Sequence, residues 1–419
     1  MMRALFYSFL LVVATSCCCP QQDKYAVSQQ FSAVSGFEAV GFDGKRLQRV
    51  DSMMAGYVRE GVMPNAVSFV ARNGKIIHHK AYGYKDAEAN IPVKTNDIFR
   101  WASQTKAIAT VVLLTLFEEN KFLLDDPIDK FLPMFAHPQI YVSGSVEDGD
   151  LVTRSATRKI TVRHLLSHTA GYSYDSFGED LRIVNYERPV TSKEIVERIA
   201  RTPLMHEPGE GYTYGWATDI AGYLAEVITG KSLDALMKER VFEPLGMNDT
   251  YFYLPQEKHD RLVKMHIRSP NNRRYSLDPE AIEQNYPLAT HQPFHSAGAG
   301  LSGTIEDYAK FCQMLLNKGE FNNHRVLSRK TVEMMAIDQL ANLPGNFLFG
   351  FGFDIGAERH FNVNLRSVGS LSWGGLYGTS YLIDYKENMV VLLYTNVRDW
   401  DNNPRVSDRF RMSVYQAMK

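Results

Sequence analysis

Cysteine is nearly missing from this 419-residue chain: of four, three stand together at Cys17, Cys18 and Cys19, and only Cys312 lies in the body. One body cysteine excludes an internal disulfide there, so stability has to come from a packed core. Cys312 falls among Tyr308, Phe311, Leu315 and Leu316 at helical spacing, the setting of a buried, inert thiol rather than a nucleophile. An excess of charge of one sign is missing too. Lys and Arg number 46, Asp and Glu 47, the net charge is -1, and no long block of either sign interrupts the sequence. That argues against nucleic acid as a partner. The histidines form no H-E-x-x-H or similar cluster for a catalytic zinc, and there is no G-x-S-x-G elbow for a Ser-His-Asp hydrolase.

What is present is ample material for a core, at 45% hydrophobic and 12% aromatic residues. The start of the chain is set apart. Arg3 precedes an apolar stretch from Ala4 to Ala14, followed by Thr15, Ser16 and the three cysteines. This is the layout of a secretory signal, and the stretch is well short of the roughly 20 residues a membrane-spanning helix needs. Residues 1–19 are therefore expected to direct export to the periplasm or cell envelope. Small residues just before Cys17 also resemble a bacterial lipoprotein signal, although Ala14 stands where leucine is usual. Attachment to the membrane through a lipidated Cys17 and release of a free mature protein both stay open.

Beyond a lead-in over 20–60, polar and mobile to about Val40, the pattern turns to sheet. Ala66 to Ala71 and Ile76 to His79 flank Asn73-Gly74, a two-strand hairpin signal. Tyr381 to Tyr385 and Met389 to Tyr394 repeat it around a turn at Lys386 to Asn388. Between them lie helical patterns at Ser192 to Arg201, Leu233 to Val241 and Thr304 to Leu316, the last opening with Thr304 and Asp307 in the manner of a capping box. The expectation is an α+β fold: one antiparallel sheet built from both chain ends and flanked by helices, with a mainly helical lobe inserted. The α/β lobe takes 61–100 and 300–419, and the helical lobe takes 101–299.

Ser103-Gln104-Thr105-Lys106 is the only S-x-x-K in the chain, and it opens a run from Ile108 to Phe117 that is apolar on every face. Such a helix belongs in the interior. Serine and lysine three apart on its first turn share one side. A lysine placed there is costly unless something uses it, as an activator of the serine would. Tyr214 lies on the loop of Pro208 to Trp216, just before a helical pattern stopped by Gly230. A phenol serves as general base only as a phenolate beside a cation such as Lys106. Trp373-Gly374-Gly375-Leu376 precedes the C-terminal hairpin, where glycines let a substrate approach the backbone and an edge strand offers an N-H to a carbonyl oxygen.

These three pieces, in this order and at these intervals, resemble the class C β-lactamase and penicillin-binding protein superfamily, with motifs S-x-x-K, Y-x-N and K-T-G. The closer match is to family VIII carboxylesterases, which show W-G-G in place of K-T-G. Leu124 to Pro127, Tyr141 to Gly144, His164 to Gly171 and Gly300 to Thr304 extend the resemblance from about Gly61 to the C-terminus. It implies Ser103 as the acylated nucleophile, Lys106 and Tyr214 as a coupled activating pair, and the amides of Ser103 and Leu376 as oxyanion donors. Trp216, Trp373, Gly374 and Gly375 would meet the substrate. Trp373 replaces the lysine that helps bind a carboxylate, and Trp216 replaces the amide-bearing asparagine.

The activity so implied is hydrolysis of small or medium acyl esters, with no cofactor or metal and with a small-molecule ester as the partner. A D-alanyl-D-alanine carboxypeptidase, D-aminopeptidase or β-lactamase is the rival enzyme, and a non-catalytic penicillin-recognising binding module is the rival outside enzymes. His168 reads as structural. Gly298 to Gly303 fits G-x-G-x-x-G, yet no strand precedes it and no βαβ unit surrounds it, so it does not read as a nucleotide site.

Overall fold

Alternation decides the main sheet. In β2 (Asn65–Arg72) Val67, Phe69 and Ala71 point into one apolar cluster, while Ala66 and Val70 point into another. The computed structural model describes residues 27–174, 189–268, 275–277, 286–288, 293–398 and 405–419. The leader and Cys17 lie outside the described residues. Among those described, no helix is long and apolar enough to cross a membrane.

Eight strands form the sheet. They are β1 (Ser32–Ala33), β2, β3 (Lys75–Asp86), β4 (Ile91–Pro92), β5 (Asp354–Ile355), β6 (Leu371–Gly374), β7 (Ser380–Asp384) and β8 (Met389–Tyr394). The spatial order is β1-β3-β2-β8-β7-β6-β5, with β4 beside the end of β3. The two ends of the chain meet where β2 pairs antiparallel with β8, Val67 opposite Tyr394 and Val70 opposite Val391. Both hairpins expected from the sequence are present. The first turns at Asn73 and Gly74, whose φ values of 53° and 70° are the left-handed pair a two-residue turn demands.

Two details differ from the sequence reading. The sheet is mixed, because β1 runs parallel to β3. That pairing, with the short helical turn Phe37–Val40, also orders part of the stretch expected to be mobile. A two-residue strand has no period to read, so this was invisible in the sequence.

Helices cover both faces. Helices α1 (Gly44–Arg59) and α5 (Val406–Gln416) lie on one side, burying Leu47, Val50, Met54, Phe410 and Val414 against Val70, Leu382 and Val391. Helix α4 (Ile305–Leu316) packs on the other. Helix α2 (Thr105–Glu118) is buried from Thr105 to Leu116, as its uniform apolarity requires, and packs against α3 (Ala217–Thr229). The pattern over Leu233 to Val241 is helical, but its second half, Lys238–Phe242, widens into a π-turn.

A small three-stranded sheet seats the start of α2. Ser302–Gly303 pairs with both Phe99–Arg100 and Thr250–Tyr251. Trp101 N then donates to Leu301 O (2.9 Å), and Leu301 N to Thr105 Oγ1 (3.0 Å). The segment before Ser302 is thereby laid against the first turn of α2. Thr304 caps α4, accepting from Asp307 N at 3.2 Å. The Asp307 carboxylate does not complete a capping box; it takes Asp249 N and Thr250 Oγ1 and ties α4 to the small sheet. Thr304→Ala is expected to lower stability by about 1 kcal/mol, read as a lower urea midpoint with an unchanged circular dichroism spectrum.

Candidate active site

Ser103 sits on a short helical turn, Ala102–Gln104, that leads into α2. Ala102 holds φ 47°, a conformation that a residue with a Cβ adopts rarely. The surroundings over-determine the turn. Gln104 O accepts from Tyr308 Oη (2.9 Å) and Gln104 Oε1 from Tyr394 Oη (2.6 Å), while Thr379 Oγ1 donates to Trp101 O (3.2 Å). The nucleophile turn is thus bolted to α4 and to the sheet.

Lys106, one turn further on, is 2% exposed. Its Nζ donates to Tyr174 Oη (2.6 Å) and Gly298 O (2.7 Å) and reaches Ser103 Oγ at 3.4 Å. An ammonium has three hydrogens, and each has an oxygen to address. Burial works against the charge, but Tyr174, Tyr214 and Asp219 around it outweigh burial and push its pKa upward. Lys106 is therefore a fixed cation. Burial alone would lower this pKa; the geometry reverses the sign because the ammonium is ligated rather than merely desolvated.

Tyr214 comes from the loop before α3. Its ring lies 4.7 Å from Lys106 Nζ, and its hydroxyl accepts from Trp373 Nε1 at 3.1 Å. The indole donor of Trp373 is thus directed at Tyr214. Trp216 is 8% exposed and packs edge-on to Tyr174, ring centres 4.9 Å apart. The Tyr174 hydroxyl is pushed up to about 12, chiefly by burial, with Lys106 pulling the other way.

Gly374 ends β6, and Gly375 opens the turn to β7, with Gly375 N donating to Thr379 O (2.8 Å) and Gly378 N to Gly375 O (3.0 Å). β5 covers Leu371 and Ser372 only, leaving Trp373 and Gly374 on the open edge. A Cβ on Gly375 would stand 2.2 Å from Trp101 O, so glycine is required for the strand end to lie against the nucleophile turn. Leu376 follows, 61% exposed. Neither the Ser103 nor the Leu376 N-H finds an acceptor among the described residues, the condition for amides free to meet an oxyanion.

His168 is buried with φ 56°, its ring centre 4.8 Å from that of Tyr214 in a tilted pair and 5.6 Å from that of Phe349 in an edge-on one. Burial, with Lys106 adding to it, pushes its pKa down to about 3, so it is neutral packing at ordinary pH. Tyr212, Phe347, Phe349 and Trp373 continue this aromatic wall. Among the described residues no acidic, histidine or cysteine cluster could hold a metal ion.

Three contributors escaped the sequence reading: Tyr174, Gly298 and Asp219. Gly298 lies in the G-x-G-x-x-G stretch set aside as a nucleotide site, and it supplies a carbonyl to Lys106 instead. Asp219 is fully buried in α3; its Oδ1 accepts from Ser296 Oγ (2.8 Å) and Gly298 N (3.1 Å). An acid among Ala217, Ile220, Ala221 and Leu224 was the available signal. Tyr174, three residues beyond Gly171, carried none.

Comparison with known proteins places the chain in a family. The Beta-lactamase family model matches residues 50–416. Protein Rv1367c of Mycobacterium tuberculosis is 30% identical over 354 residues, covering 79% of this chain and 85% of that protein. Esterase EstB of Burkholderia gladioli is 29% identical over 381 residues, covering 83% and 90%. Among solved structures, EstCE1, described as a hydrolase with promiscuous acyltransferase activity, superposes with a TM-score of 0.74 at 26% identity, covering 88% of this chain and 98% of its own.

Two outcomes are expected. Gly375→Ala displaces the strand end from Trp101 O and should lower kcat for ester hydrolysis by about 100-fold or more while the protein stays folded. His78, His164 and His266 are held down to about 4 and His168 to about 3, all chiefly by burial, against 6.5 when free. The unfolded chain therefore binds more protons below 6.5, so the stability these groups contribute is complete above that pH and is lost as pH falls toward 4. The urea midpoint should drop between pH 6.5 and 4.5; a flat midpoint there contradicts the assignment.

Proposed function

This chain belongs to the Beta-lactamase family, and from the chemistry of its site we propose that it is a serine carboxylesterase cleaving small or medium acyl esters through an acyl-enzyme on Ser103. The observation that carries the reading is the buried Lys106 ammonium directed at Ser103 Oγ, with Tyr214 against it and the Trp373 indole on the Tyr214 hydroxyl.

Because all three Lys106 hydrogens point at oxygens, the lone pair that receives the serine proton is that of Tyr214 Oη, beside the ammonium and facing the Trp373 indole N-H. Ser103 Oγ bonds to the ester carbonyl carbon as its proton passes to Tyr214. The oxyanion rests on the N-H groups of Ser103 and Leu376. Collapse breaks the bond to the alcohol oxygen, which leaves with the proton from Tyr214. Water then attacks the acyl carbon and gives a proton to Tyr214; the second collapse returns that proton to Ser103 Oγ and releases the acid.

Trp373 supports an ester over an anionic lactam or peptide terminus. Where a lysine would offer a cation to a carboxylate, this site has an aromatic face whose single donor is turned to Tyr214. Esterase EstB and EstCE1 add support for ester chemistry on this scaffold. The Ala4 to Ala14 run and the residues before Cys17 support export to the envelope, with lipid attachment at Cys17 as the finer reading.

Purified protein should hydrolyse p-nitrophenyl butyrate, and Ser103→Ala, shown folded by circular dichroism, should lose at least about 1,000-fold in kcat. Nitrocefin turnover in the same preparation should be far slower. Nitrocefin cleaved as fast as the butyrate ester would contradict the ester preference, and full activity in Ser103→Ala would remove the nucleophile.

A further inference from the structure

We propose that Tyr174 and Asp219 are positioning residues of this reaction, forming a two-sided cradle that fixes the Lys106 ammonium beside Ser103. This rests on Ser103 as the nucleophile. Tyr174 takes one lysine hydrogen directly at 2.6 Å. The other side of the cradle is the Gly298 carbonyl at 2.7 Å, and Asp219 fixes the peptide that carries it, accepting from Gly298 N and from Ser296 Oγ.

The Asp219 carboxylate fits under this loop only because position 298 is glycine: a Cβ there would stand 2.3 Å from Oδ2. That second oxygen, buried, has no hydrogen-bond partner among the described residues. A buried carboxylate with a free oxygen is expensive as a purely structural prop. Burial pushes the Asp219 pKa up while Lys106 pulls it down, so the carboxyl acts on the same ammonium whose carbonyl ligand it holds in place.

Without the cradle the ammonium would still be buried but could turn away from Ser103 or give up its proton. In either case Tyr214 loses the cation beside it. The titratable groups around Lys106 are Tyr174, Tyr214 and Asp219, with His168 on the side of the Tyr214 ring. Tyr174 also braces the neighbouring rings, lying edge-on to both Tyr214 and Trp216. Removal of its hydroxyl alone, as in Tyr174→Phe, keeps that packing and isolates the hydrogen bond.

The test is the rate at which a fluorophosphonate probe labels Ser103, followed by intact mass across pH, for the wild type, Tyr174→Phe, Asp219→Asn and Tyr172→Phe, with Ser103→Ala as background. Hydrolysis of p-nitrophenyl butyrate is measured alongside. Tyr172→Phe removes a buried hydroxyl two residues away that has no partner among the described residues, and should match the wild type. Tyr174→Phe should label about tenfold or more slowly. Its alkaline limb should move down by about one pH unit, because the ammonium has lost an acceptor. In the ester assay kcat should fall while KM changes by less than about twofold. Asp219→Asn should move the limb the same way; if it fails to fold, Tyr174→Phe decides.

Wild-type rate and pH profile in Tyr174→Phe would overturn the proposal. A wild type labelled at Ser103 yet inert toward esters would refute the esterase reading while the labelling comparison still decides the cradle. Wild-type labelling no faster than Ser103→Ala would overturn the nucleophile assignment and the cradle with it.

Discussion

The site depends on keeping one ammonium ion charged in the protein interior. Lys106 grows from a helix buried along almost its whole length and is itself 2% exposed. Removing a lysine from water is unfavourable unless its hydrogens meet acceptors, and here a phenol, a backbone carbonyl and the nucleophile itself supply them. Each acceptor comes from a different part of the chain. The small sheet that lays residues 298–301 against α2 and the turn that delivers Tyr174 are both answerable to that one charge.

The other half of the site is aromatic. Tyr212, Tyr214, Phe347, Phe349, Trp373 and the neutral ring of His168 form one run of ring contacts, which meets the Lys106 ammonium at Tyr214. A second cation at position 373 would make the site an anion receptor. An indole leaves the wall apolar and directs its one N-H at the base. The same substitution therefore bears on two properties at once, the company Tyr214 keeps and the charge of the substrate the site suits.

Much of the fold was legible because short apolar runs on either side of Asn-Gly have few uses other than two strands and a tight turn. The Ala66 to Ala71 run before that turn, the all-apolar α2, and Thr304 as a cap could each be read locally. The parallel β1 pairing and the π-turn at Lys238–Phe242 could not, since two residues carry no pattern and a widened turn has the composition of an ordinary helix. Asp307 shows the limit of a local motif. Its spacing promised a capping box, but its carboxylate was taken by Asp249 N and Thr250 Oγ1 from a strand more than fifty residues away.

Within the site, the sequence determined what a single turn of helix can determine: Ser103 and Lys106 share a face because they are three residues apart, and the uniform apolarity after them puts that face indoors. Motif order added Tyr214 and Trp373 to Leu376. The tertiary structure alone decided the state of the lysine. Its two anchors lie 68 and 192 residues along the chain, and nothing in their local sequence marks them as its ligands. A buried lysine read without them is a group losing its proton; with them it is a group that keeps it. The sign of a charge in a protein interior is set by what lies within hydrogen-bonding distance in space.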